Sequence, residues 1–262
     1  MDAGIRTADR GPLRCASVTA VSIEPVVGLP EIEPGADVAA MIAARAELRD
    51  DDVVVITSKI VSKAEGCAVE LAGVVPSAFA SAWGERWDKD PRVIEVVLRE
   101  SARIVRQAGP VLITETRHGF VCANAGVDQS SSGAHGRVLT LPVDPDASAR
   151  RARERFAELG HRVAVVVTDT FGRPWREGQT DIAIGVAGIN PLRSYIGEVD
   201  PHGHEFRVQE ICVVDEIAAA GELVKGNTSR VPVAVVRGID YDADDTATMA
   251  PVIRDSSRDL FR

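Results

Sequence analysis

Aliphatic runs in this chain are short. Val53–Thr57, Val163–Val167 and Val231–Val236 are rich in β-branched residues and end within five or six positions. Such runs suit buried strands and fall far short of the 18 or more apolar residues of a membrane span. Between them lie segments with helical spacing and capping residues. Asp37 opens one helix reaching about Leu48. Asp90-Pro91 opens another through Gln107, stopped by Gly109-Pro110. Asp144–Asp146 leads into an Arg/Glu-rich helix ending at Gly160, and Val214–Val224 forms a last one. Further strands are predicted at Val111–Thr116 and Phe206–Val213, with a short strand and turn over Phe120–Asp128. Phe171–Thr180 reads as a polar loop, and Gln129–Gly136 as a flexible one. Strands alternating with helices admit either an α/β or an α+β fold. Residues 1–20 read as a loose leader, and 21–262 as one domain.

The chain carries 30 basic and 39 acidic residues, a net charge of −9. That balance speaks against nucleic-acid and membrane-surface binding. An anionic substrate would then need locally placed cations or a metal. The four cysteines form no C-x-x-C pair, and the first residues lack a signal peptide's apolar stretch. Both features predict a reduced, cytoplasmic protein.

Only four of the 30 basic residues are lysine: Lys59, Lys63, Lys89 and Lys225. A chain so biased to arginine keeps lysine where a compact ammonium is needed, or by chance. Lys59 and Lys63 follow a strand in Thr57-Ser58-Lys59-Ile60-Val61-Ser62-Lys63. On a helix they share one face, suited to phosphate or simply to solvent. Asp128 and Asp169 stand at strand ends or turns, the latter between Thr168 and Thr170. Carboxylate and hydroxyl oxygens of this kind suit magnesium or manganese, while the commoner role of such an aspartate is a turn or cap. Arg173 and Arg176, flanking Trp175, could clamp a phosphate or carboxylate. His202 and His204 read as an exposed turn, and His118 is ambiguous. The sequence has neither a G-x-x-x-x-G-K-[ST] phosphate loop nor a G-x-G-x-x-G fingerprint.

Four blocks together resemble the F420-0:gamma-glutamyl ligase family. They are Gly28–Ile32, Thr57–Gly66, Arg117–Asp128 and Asp169–Gly178, with a weaker fifth from Asp215 to Val233. The resemblance spans roughly residues 24–240. It implies an α+β fold of mixed, antiparallel-rich sheets, an intertwined homodimer without a phosphate loop, and no room for the extra flavin-binding domain of two-domain versions. It implies an enzyme that adds L-glutamate to a deazaflavin precursor through an acyl phosphate, using GTP and Mg or Mn, with potassium as a further candidate. By matching blocks, Leu29, Pro30, Glu31 and Ile32 line the nucleotide site, and Ser58, Lys59 and Lys63 hold phosphates. Asp128, Asp169 and Thr170 bind metal, and Lys225, Gly226 and the segment to Pro232 touch GTP. Ser131 and Asn227 stand near positions where relatives carry an asparagine nucleotide contact and a glutamine metal ligand. Lys63, Arg173 and Arg176 are the expected catalytic groups, the two arginines and Trp175 lying near the acceptor. Alternatives are an amide ligase for another carboxylate and a nucleotide-binding homologue without activity.

Overall fold

The structure, a computed structural model, describes residues 20–129, 136–226 and 228–259. Ser131, Asn227, the leader up to residue 19 and most of the predicted loop Gln129–Gly136 lie outside the described residues. The elements in chain order are β1 (Ser22–Pro25), α1 (Val38–Ala43), β2 (Val53–Thr57), α2 (Ser58–Ala64), β3 (Ala68–Glu70), α3 (Ala78–Trp87) and α4 (Pro91–Arg99). There follow β4 (Ser101–Ala108), β5 (Val111–Thr116), β6 (Val121–Ala123), β7 (Arg137–Leu139), α5 (Pro145–Glu158), β8 (Ala164–Arg173) and β9 (Arg176–Ala187). The chain continues with β10 (Leu192–Ser194), β11 (Glu210–Cys212), α6 (Val213–Lys225) and β12 (Val233–Arg237).

The aliphatic runs become the centre of a five-stranded sheet of order β1-β12-β2-β8-β9. β2 and β8 are parallel, and every other pair in the sheet is antiparallel. Val53, Val54, Val55, Val165, Val166 and Val236 are at most 1% exposed. A strand covered on both faces needs no polar alternation, so these runs are continuous. Each buried valine contributes roughly 1.5–3 kcal/mol. Val55 packs against Gly221 of α6, while Ile56 borders a cavity with residues of α1 and α5. Adjacent strand residues face opposite ways, so α6 covers one face and α1 with α5 the other.

Smaller antiparallel sheets complete the α+β fold: β4-β5-β6, β3-β7 and β10-β11. A separate apolar cluster around Trp83, Ile94, Val97 and Leu112 joins α3 and α4 to β5.

Several predicted elements are corrected. The helix from Pro91 ends at Arg99, and Ser101–Ala108 is a strand instead of its continuation to Gln107. Its partner is β5, so Gly109-Pro110 is a hairpin turn and not a helix stop. The helix after Asp37 ends at Ala43 instead of near Leu48. The strand expected over Phe206–Val213 is reduced to Glu210–Cys212. The polar loop expected over Phe171–Thr180 is a β-hairpin: β8 and β9 stay paired to Arg173–Arg176. Pro174 and Trp175 form its two-residue turn. Cross-strand pairing satisfies the backbone there without burying the side chains, so the polar composition gave no strand signal. Ile182–Ile189, apolar and rich in small residues, is covered by this chain's own α5 and α6. Its small residues let helices approach: a Cβ on Gly185 would sit 2.3 Å from the Pro145 carbonyl oxygen.

Candidate active site

β2 and β8 run in parallel, so both end at the same edge of the sheet, where ligands of open α/β sheets commonly bind. α2 begins immediately after β2, and α6 ends beside the same edge. Between them lies a cleft of about 440 Å³. Leu29, Pro30, Glu31 and Ile32 form one wall, and Arg230, Val231 and Pro232 another. Thr57, Lys59, Lys63, Thr170, Glu222, Lys225 and Gly226 also line it. Three of the four lysines therefore meet in one place, while Lys89 is exposed between α3 and α4.

Each of the three ammoniums faces a carboxylate. Lys59 Nζ lies 2.9 Å from Asp128 Oδ2. Lys63 pairs with Glu31, which is 71% exposed. Lys225 Nζ lies 2.6 Å from Asp181 Oδ2, deep inside. The first two pairs reach solvent, so a phosphate can take over either ammonium at small cost.

Ser58 Oγ donates to Asp169 Oδ1 at 2.9 Å. Ser58 and Lys59 are consecutive, so the start of α2 holds both Asp169 and Asp128. Burial pushes the Asp169 carboxyl up to about 6, against the Ser58 hydroxyl, the Thr170 amide and the Lys59 ammonium, which all pull it down. Alternation along β8 turns Asp169 toward α2 and Thr170 toward α6. Thr170 Oγ1 donates to Asp181 Oδ1 at 2.6 Å.

Among the described residues no cluster of three or more His, Cys, Asp or Glu forms a self-sufficient metal cage. The donors that are present still fit a hard cation. Asp169 is a carboxylate held by Ser58, Asp128 is paired with the neighbouring Lys59, and the Thr170 hydroxyl has its proton engaged by Asp181. Magnesium and manganese commonly take one or two carboxylates and complete their shell with phosphate and water.

The structure thus brings together Leu29–Ile32, Ser58, Lys59, Lys63, Asp128, Asp169, Thr170, Lys225 and Gly226 at one sheet edge. Arg173 and Arg176 are not in this group. They are exposed at the hairpin tip, flanking Trp175, and neither lines the cleft. Glu222 lines the cleft and escaped the sequence reading, although it sits one helical turn before Lys225, a spacing that was readable. Asp181, buried behind the cleft and just after the segment read as a loop, also escaped it, since nothing marked it as facing Thr170.

A family model described as F420-0:Gamma-glutamyl ligase matches residues 27–238. The chain belongs to this family. The match spans the cleft walls, all three clustered lysines and both aspartates. The chain is 44% identical to the "Coenzyme F420:L-glutamate ligase" of Methanopyrus kandleri, over 92% of this chain and 97% of that protein. It is 39% identical to the protein of that name from Methanothermobacter thermautotrophicus, over 92% and 99%. With the Halobacterium salinarum protein of that name the identity is 44%, over 84% and 88%.

Proposed function

We propose that the protein is a ligase that joins L-glutamate by an amide bond to the deazaflavin precursor of coenzyme F420, using GTP and a divalent metal. The observation that carries this reading is that Lys59, Lys63 and Thr170 line one cleft at the carboxyl edge of two parallel strands, with Asp128 paired to Lys59 and Asp169 to Ser58 at the start of α2, in a member of this family. A carboxylate and an amine do not condense unaided in water. Phosphoryl transfer supplies the activation: a precursor carboxylate oxygen attacks the γ-phosphorus and GDP leaves. The glutamate nitrogen then attacks the acyl carbon, inorganic phosphate leaves with the acyl oxygen, and the amine proton passes to solvent. The product is an amide.

Such a transfer asks the protein for positioning and charge neutralisation more than for covalent chemistry. Lys59 and Lys63 are the mobile cations, released from Asp128 and Glu31 as phosphates arrive. Ser58, 2% exposed, holds Asp169 in place. Asp128, Asp169 and Thr170 would hold the divalent ion, which when bound neutralises phosphate charge. Leu29–Ile32 and Arg230–Pro232 form the walls that shield the nucleotide. Arg173, Trp175 and Arg176 are proposed for the acceptor, which would approach from the hairpin side.

Replacing Asp128 or Asp169 by Ala tests the reading. Turnover should be nearly abolished while circular dichroism and thermal midpoint stay close to the parent protein. Wild-type activity in both variants at limiting magnesium would overturn it.

A further inference from the structure

Asp181 and Lys225 have side chains only 3% exposed. An ion pair so deeply buried gives up the hydration of both charges, and an apolar pair of similar volume would often stabilise the fold as well. Asp181 Oδ2 accepts from Lys225 Nζ at 2.6 Å and from Thr168 Oγ1 at 3.1 Å. Lys225 Nζ donates a second bond to Thr168 Oγ1 at 2.9 Å, closing a triangle. Glu222 Oε2, 3.9 Å from the same ammonium, faces it from the cleft side. The other carboxylate oxygen, Oδ1, accepts the Thr170 hydroxyl proton at 2.6 Å, and the Glu222 carboxyl lies within hydrogen-bonding reach of Asp181. The pairing follows from topology. Thr170 and Asp181 are direct cross-strand partners in β8 and β9, and Thr168 lies two residues back on the same face.

A threonine hydroxyl has one proton and two lone pairs. With that proton given to Asp181, Thr170 can offer the cleft only lone pairs. We propose that Asp181 and Lys225 are positioning residues that lock the Thr170 hydroxyl as an acceptor toward the cleft. So locked, it suits a cation and cannot donate to a phosphate. Lys225 holds Oδ2, which keeps the carboxylate from turning away from Thr170. The ammonium is thereby committed to the interior, although its residue lines the cleft. The pair also ties the end of α6, where the Gly226–Pro232 wall begins, to the strand bearing Asp169 and Thr170. This inference rests on the metal-dependent reading above.

The test measures Mn²⁺ binding to the full chain with GDP, by electron paramagnetic resonance, independently of turnover. Asp181→Leu/Lys225→Met removes the acceptor and both charges together, so no lone charge is left buried. It should bind Mn²⁺ about tenfold or more weakly, the usual range for loss of an outer partner of a ligand. Thr170→Val should show the same loss, and Thr170→Ser should restore binding. Combining Thr170→Val with the double variant should add nothing, because all act through one hydroxyl. Asp181→Asn/Lys225→Met keeps an amide oxygen as acceptor but loses the ammonium that holds it, and should bind more tightly than the Leu/Met variant and more weakly than wild type. If the Leu/Met variant does not fold, the Asn/Met variant and the Thr170 pair decide the matter. Wild-type binding in Thr170→Val or in a folded Leu/Met variant would overturn the proposal, as would a full loss in the Asn/Met variant. Absence of Mn²⁺ binding by the wild-type protein would instead remove the metal reading and this inference with it.

Discussion

Asp169 shows how one residue serves competing demands. Its carboxyl is packed against α2, and burial raises its pKa to about 6, although two donors, Ser58 and the Thr170 amide, and the Lys59 charge stabilise the charged form. In the metal-free protein this group favours folding most at low pH. That contribution is lost as pH climbs from the ordinary carboxylate range through about 6. A cation must displace the same proton. Mn²⁺ affinity is therefore expected to rise as pH climbs through about 6 and then level off. Titrations with Mn²⁺ at a series of pH values check this, and affinity that stays flat across that range would contradict it. Lys59 and Lys63 were legible in the sequence because the chain otherwise uses arginine. Asp128 and Asp169 were legible through family blocks more than through chemistry, since a strand-end aspartate is usually a turn former. Asp181 was not legible, because its importance depends on register across a hairpin that polar composition concealed.

The elements were recognised best where burial covers both faces. β2, the start of β8 and β12 announce themselves as β-branched runs, and α5 by Asp144, which accepts from the Ala147 amide at 2.8 Å, with Pro145 following. They were misread where exposure hides pairing. β4 has mostly exposed side chains and looks helical in composition, yet the turn at Gly109 brings it back onto β5. The β8–β9 hairpin ends in Trp175, with a positive φ of 55° and 78% exposure. A bulky residue is costly in that conformation, which a glycine would adopt freely. β9 and α5 are held at close range. Asp146 accepts from the Val186 amide at 2.9 Å and from the Met249 amide at 3.0 Å, and Gly185 lies under the Pro145 carbonyl. Gly185→Ala would place its methyl carbon 2.3 Å from that backbone oxygen. Neither strand nor helix can yield cheaply, so about 1–3 kcal/mol or more of stability should be lost. Urea unfolding measures this, and an unchanged midpoint would show that the α5–β9 contact is looser than the structure has it.

At the scale of the whole molecule, antiparallel-rich sheets built around one parallel pair account for the cleft. The parallel pair sets two strand ends side by side, and the antiparallel neighbours bring in the walls. The α+β class with antiparallel-rich sheets followed from the family resemblance, since alternation of elements alone left α/β and α+β open; the parallel pair did not. Ile182–Ile189 is spent inside the chain's own core. The apolar side chains left at the surface include Ile104, Val111 and Val121 of the β4-β5-β6 sheet, each more than a third exposed. We expect a homodimer, and sedimentation at micromolar concentration should give about twice 27.9 kDa. A stable, active species at the single-chain mass would contradict that.

Under the proposed function the cleft uses GTP to join glutamate to the deazaflavin precursor. Mass spectrometry after incubating the protein with precursor, L-glutamate, GTP and magnesium is the decisive measurement. The expected product is heavier by one or more glutamyl residues, formed only with GTP and metal, together with GDP and phosphate. Brisk GTP hydrolysis without precursor, or no glutamylated product under these conditions, would contradict it.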